Sequence, residues 1–140
     1  MKATKEKVLI VEDDFTSRLL LQKLLSSYGE SHIAVNGKEA VSAFCGALEA
    51  GQPYDLVCLD IMMPEKDGHE ALKEMRALEE SRGILSTRGA KVIMTTALGD
   101  IKSVASAYNE LCDGYLVKPI DKGKLIALLD ELKVGKKRVG

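Results

Sequence analysis

The sequence predicts an α/β domain whose parallel sheet is covered by helices on both faces. Two observations carry that prediction. Four short apolar runs, Val8–Val11, Leu56–Leu59, Val92–Met94 and Tyr115–Val117, are too short for helices and lack polar alternation, as expected of strands buried on both sides. The stretches between them repeat apolar residues with a helical period. Strand and helix therefore alternate five times, and parallel strands need a crossover helix between them.

Each element follows in order. After the first strand, Leu20, Leu21, Leu24 and Leu25 form one apolar helix face, with Asp14 as a cap or a solvent-facing acid. His32-Ile33-Ala34-Val35 is a mixed run closed by the turn pair Asn36-Gly37 and suits an edge strand. Val41, Phe44, Cys45 and Leu48 mark the second helix, and Leu72, Met75 and Leu78 the third, where His69 is expected at the surface. Glu79 to Ala90 (EESRGILSTRGA) is mostly polar and is predicted to be an exposed loop. Ile101, Val104, Ala105 and Tyr108 give a fourth helix capped by Asp100; Leu125, Leu128, Leu129 and Leu132 give a fifth capped by Asp121. The last eight residues, KVGKKRVG, carry four basic side chains and are expected to fray.

Composition narrows the function classes. A chain of 140 residues suits one domain, and at that size roughly 68% of the unfolded surface is buried. Hydrophobic residues are 46%, charged residues 29% and the net charge is −1, which gives no basic excess for nucleic acid and no acidic excess for disorder. Trp is absent and aromatics are 4%, so the core is aliphatic. Cys45, Cys58 and Cys112 are far apart, without CxxC spacing, and fit isolated thiols in a reducing compartment. No signal-like segment and no membrane-length apolar run is present, which predicts a cytoplasmic protein without membrane insertion. No linker to a second domain is visible, favouring a single-domain protein.

The polar residues cluster where the strands end. Glu12, Asp13 and Asp14 follow the first strand and Asp60 the third; Thr95-Thr96 ends the fourth, and Lys118-Pro119 the fifth. Open parallel sheets bind ligands beyond the carboxyl ends of their strands, so these groups are expected to converge. Several carboxylates close together repel and stay ionised only if a cation joins them. All-oxygen ligation with an incomplete protein shell suits Mg2+, which favours phosphate as a further ligand. A lysine and a threonine hydroxyl complete an electrostatic clamp for a transferring phosphoryl group, leaving Asp60 free as nucleophile.

From about Lys7 to Lys133 the chain resembles the receiver domain of bacterial two-component response regulators, in particular the stand-alone chemotaxis-type form. The resemblance rests on VLIVEDD, LVCLDIMMPEKDG, VIMTTAL and GYLVKP, in family order with family-like spacing. It implies a doubly wound (βα)5, flavodoxin-like fold of strand order 2-1-3-4-5, a receiver domain over residues 5–134 and a disordered basic tail over 135–140. It further implies that Asp60 is the phosphoacceptor and that Mg2+ is held by Asp13, Asp60, Glu12 mostly through water, and the Met62 backbone carbonyl. Lys118 pairs with the phosphoryl group, Thr96 is the switch hydroxyl and Tyr115 the aromatic that follows it. Small Ala97 leaves room for the donor, and a cis Lys118-Pro119 bond makes a rigid turn.

Such a domain is a phosphoacceptor signalling module, not an enzyme acting on other substrates. The implied donor is a sensor histidine kinase or phosphotransfer protein docking near Phe15 and Arg18. Phosphorylation then reshapes the surface of the fourth and fifth helices and fifth strand for a downstream protein. Met62 and Leu98 stand where many members carry polar residues, which predicts slow autodephosphorylation. Three other readings compete. A phosphorylation-independent interaction module shares the same residues. An aspartate-nucleophile phosphatase would place a second Asp where Met62 stands. A flavodoxin-like cofactor binder would need a hydroxyl- and glycine-rich loop in place of Glu12-Asp13-Asp14.

Overall fold

A strand with helices on both sides carries apolar side chains in both directions, and β1 (Glu6–Val11), β3 (Leu56–Asp60) and β4 (Lys91–Thr96) do so. In the computed structural model, residues 6–63, 67–85, 88–97 and 111–134 are described. With β2 (Gly29–Ala34) and β5 (Gly114–Val117), the strands form one parallel sheet in the order β2-β1-β3-β4-β5. The expected doubly wound, flavodoxin-like arrangement is therefore present. The less buried β2 sits at an edge because only β1 pairs with it.

Alternation divides the core between two faces. Leu9, Val11, Val57, Leu59, Val92 and Met94 pack with α2 (Gly37–Glu49) and α3 (Gly68–Ser81). Val8, Ile10, Leu56, Cys58 and Ile93 pack with α1 (Phe15–Leu25) and α4 (Lys122–Glu131). Here α4 is the fifth helix predicted from sequence. The fourth, with Asp100, Ile101, Val104, Ala105 and Tyr108, lies outside the described residues, as does the 135–140 tail.

Side-chain caps fix the helix starts. Asp14, Asn36, Asp67 and Asp121 accept the backbone N–H groups of Ser17, Glu39, Glu70 and Lys124 at 2.8, 2.8, 3.0 and 2.9 Å. Each cap is worth about 1 kcal/mol. Asn36-Gly37 is therefore a helix start rather than a free turn, and Glu39 reaches back to accept the Val35 N–H at 2.9 Å.

Three expectations are corrected. Glu79 does not open an exposed loop: α3 continues to Ser81, and Glu79 is buried. It is held there because its carboxylate accepts the Ala90 N–H and pairs with Arg76, both at 2.8 Å. His69 is half-buried rather than exposed, and its burial lowers its pKa. Order also extends past α4, where Lys133 takes a left-handed conformation (φ 64°) and Val134 donates its N–H to the Leu129 carbonyl at 2.9 Å. Val134 is thereby seated in the α1–α4 cluster.

Arg76 clasps three segments at the amino edge of the sheet. Its guanidinium donates to the carbonyls of Leu111 and Ala90 and to the carboxylates of Glu79 and Asp113, at 2.8–3.1 Å. Asp113 also accepts the Val92 N–H at 2.7 Å. Removing one partner of a buried ion pair leaves the other charge uncompensated. Arg76→Met is expected to cost about 3–5 kcal/mol in urea unfolding; a loss below about 1 kcal/mol would show that the clasp contributes little.

Candidate functional site

The strand order reverses around β1 and β3, and the polar groups gather at the carboxyl ends of these strands. Glu12 follows β1 directly, with its N–H tied to the Ala34 carbonyl of β2 at 3.0 Å. Its own carbonyl accepts Arg18 of α1 at 3.1 Å, and its carboxylate accepts the Asp14 N–H at 3.1 Å. These bonds hold Glu12 inward and buried while Asp13 remains exposed. Asp60 ends β3 and is only 3% exposed.

Gly68 makes room beside Asp60. A methyl group at Gly68 would lie 2.5 Å from the Asp60 carbonyl oxygen, so only glycine lets the start of α3 approach this closely. The Gly68 N–H donates to the Ile61 carbonyl at 3.0 Å.

Glu12, Asp13 and Asp60 offer carboxylate oxygens that all lie within 4.8 Å of one another. The Lys118 ammonium reaches in from the end of β5, 2.9 Å from Glu12 Oε1 and 3.2 Å from Asp60 Oδ1. The Met62 N–H donates to Asp60 Oδ1 at 3.3 Å. Burial, reinforced by the Glu12 charge and opposed by Lys118, pushes the Asp60 carboxyl up to about 7. For Lys118, burial pulls the pKa down, but the Glu12 hydrogen bond and the Asp60 and Glu12 charges outweigh it, so the net shift is upward. Buried carboxylates gathered around one ammonium can accept a hard cation through oxygen ligands.

The predicted residues fall into two groups. Glu12, Asp13, Asp60 and Lys118 come together as expected, and the Lys118-Pro119 peptide is cis. Thr96 ends β4, and its hydroxyl makes a long, 3.5 Å contact with the Ala97 carbonyl. Tyr115 packs on the α2–α3 face, where burial and the Cys112 thiol raise its phenol pKa. Met62 exposes its side chain, 68% accessible, while its backbone lies against Asp60. Leu98 lies outside the described residues. Sequence reasoning gave Gly68 no role and did not foresee the tie from Arg18 to Glu12. The pair Asp67-Gly68 was a visible signal for a close backbone approach, whereas a side-chain bond to a backbone carbonyl leaves no sequence mark.

Residues 8–130 match the family described as response regulator receiver domain. The chain belongs to that family. A chemotaxis protein CheY of Halobacterium salinarum is 32% identical over 130 residues, covering 91% of this chain and 96% of that one. A probable transcriptional regulator, ycf27, of Cyanophora paradoxa is 33% identical over 133 residues, covering 94% of this chain and 50% of that protein. This receiver domain thus spans about half the length of several curated relatives it matches. Among solved structures, one from the CheX–CheY–BeF3–Mg2+ complex of Borrelia burgdorferi is 28% identical with a TM-score of 0.74, covering 92% of this chain and 90% of that one. Another, from Chloroflexus aurantiacus, is 25% identical with a TM-score of 0.75, covering 92% and 98%. Receiver domains are signalling domains of two-component systems.

The raised Asp60 pKa has a consequence for stability. A carboxyl whose folded-state pKa lies above its ordinary 3.8 contributes its full stability below that value and loses it as pH rises through about 7. Metal-free protein should therefore weaken over that interval, and Asp60→Asn should remove the loss. Thermal melts in EDTA at pH 8 are expected to place Asp60→Asn about 3–6 °C above wild type, with a much smaller gap at pH 5. An equal gap at both pH values would contradict the assignment.

Proposed function

We propose that this receiver domain is phosphorylated on Asp60 by a histidine kinase or histidine phosphotransfer protein in a Mg2+-dependent reaction. The observation that carries the reading is Lys118 bridging Glu12 and Asp60 inside a cluster of three carboxylates. Asp13 and Asp60, with Glu12 mostly through water and the Met62 carbonyl, are the proposed Mg2+ holders. When bound, the ion neutralises the acids and the phosphoryl oxygens. An Asp60 oxygen attacks phosphorus in line; the P–O bond forms as the P–N bond of phosphohistidine breaks, and the imidazole leaves with the bonding electron pair. Lys118 then turns to the phosphoryl group, and the Thr96 hydroxyl donates to one of its oxygens.

As Thr96 is drawn inward, Tyr115 moves in with it; the two share a sheet face through the Met94–Tyr115 and Thr96–Val117 pairings. The surface around β5, α4 and the predicted fourth helix is the proposed output for a partner protein. Phe15, Leu19 and Met62 expose apolar area beside the acids, with Arg18 lying 5.5 Å over the Phe15 ring. That patch suits docking of the phosphodonor. No helix among the described residues is long and apolar enough to cross a membrane. The proposed location is the cytoplasm, and nucleic acid is not a proposed partner of this domain.

Intact mass after incubation with acetyl phosphate tests the reading. One added phosphate that requires both Mg2+ and Asp60, and is lost in Asp60→Asn, is the expected result. No adduct, together with no beryllofluoride binding, would leave a phosphorylation-independent interaction module. Apolar Met62 and Leu98 give the hydrolytic water no polar side chain to hold it, so the phosphorylated state should be long-lived. Met62→Asn combined with Leu98→Glu is expected to shorten its half-life several-fold by phosphate release; an unchanged half-life would reject that explanation.

A further inference from the structure

Strand alternation sorts the two threonines of β4 onto opposite faces. Ile93 packs toward α1 and α4, whereas Val92 and Met94 pack toward α2 and α3. Thr95 therefore faces α1 and α4, and Thr96 faces the other way. On β3, Cys58 packs toward α1 and α4 and Leu59 toward α2 and α3, so Asp60 shares the face of Thr95. The two are also register partners across the β3–β4 ladder. Thr95, not Thr96, is thus the hydroxyl residue directly beside Asp60.

Thr95 is 1% exposed, and among the described residues its hydroxyl has no hydrogen-bond partner. A buried donor left unpaired costs about 1–3 kcal/mol, and a valine would fill the same space without that cost. The neighbouring carboxyl is bonded by Glu12 and shares its ammonium partner with it. Its Oδ1 receives the Met62 N–H at 3.3 Å and the Lys118 ammonium at 3.2 Å, and Lys118 is shared with Glu12.

We infer that Thr95 is a positioning residue for Asp60, a role that rests on the phosphoacceptor reading above. Neighbouring strands lie about 4.8 Å apart, and a step between staggered χ1 wells redirects the hydroxyl. While Lys118 bonds Asp60, the hydroxyl is not needed. When an incoming phosphoryl group draws Lys118 away, Asp60 loses its ammonium donor. Thr95, buried on the same face and shut off from water, then donates an O–H···O bond that keeps Asp60 oriented. The proton stays on the threonine oxygen throughout. Thr96 is left free to serve the phosphoryl oxygens.

The test measures Mg2+-dependent beryllofluoride affinity by calorimetry for wild type, Thr95→Val, Thr95→Ser and Thr95→Ala, with thermal melts in EDTA. Val and Ala are expected to bind about tenfold more weakly, the loss of one hydrogen bond to a charged group, while Ser stays close to wild type. Thr95→Val should nevertheless melt no lower than wild type, which separates positioning from packing. Wild-type affinity in Thr95→Val, or equal weakening in Ser and Ala, overturns the role. If Val does not fold, the Ser and Ala pair decides alone. A wild type that binds no beryllofluoride overturns the reading of Asp60 and the role of Thr95 with it; normal wild-type binding with an indifferent Val variant overturns Thr95 alone.

Discussion

A single ammonium group between two buried carboxylates holds the carboxyl edge of this sheet together. Glu12 and Asp60 end adjacent strands and face the same side, so their charges repel in a poorly solvated space. Lys118 touches both, and its position depends on β5 lying at the far end of the sheet with its chain turned inward. Lys118 opposes the upward push that burial and the Glu12 charge exert on the Asp60 carboxyl. The site is therefore held by one partly exposed ammonium, the charge that the proposed Mg2+ and phosphoryl group would rearrange.

The same sheet carries a second charge cluster at its other edge. Helix α3 links the two. Its first residue, Gly68, lies against the Asp60 backbone, while Arg76 and Glu79 near its far end bind the segments entering β4 and β5. Arg76 donates to two carbonyls and two carboxylates, so its charge is fully compensated in place. Lys118, by contrast, has acids for partners and a route to solvent, since its side chain is 28% exposed. One edge thus has its charge enclosed by partners, and the other keeps its charge within reach of solvent.

Much of this was legible in the residues themselves. Continuous apolar runs in β1, β3 and β4 read as strands covered on both faces, and the mixed run His32–Val35 read as an edge strand, which β2 is. Acids after β1 and β3 and the lysine after β5 were readable as one cluster, because all strands of a parallel sheet end on one side. Glu79 was misread because a polar stretch looks like solvent-facing loop. Its burial depends on Arg76, one helical turn away, and on the Ala90 N–H, which the sequence does not place beside it.

The sequence by itself determined the strand–helix alternation, the edge strand and the identity of the clustered charges, since periodicity and strand direction are local properties of the chain. Only the tertiary structure decided which charges are buried, which backbone groups hold them, and which of two adjacent threonines faces Asp60. The physical reason is register. A shift of one residue between β3 and β4 would exchange Thr95 for Thr96, and register is set by packing across the whole sheet rather than by either strand.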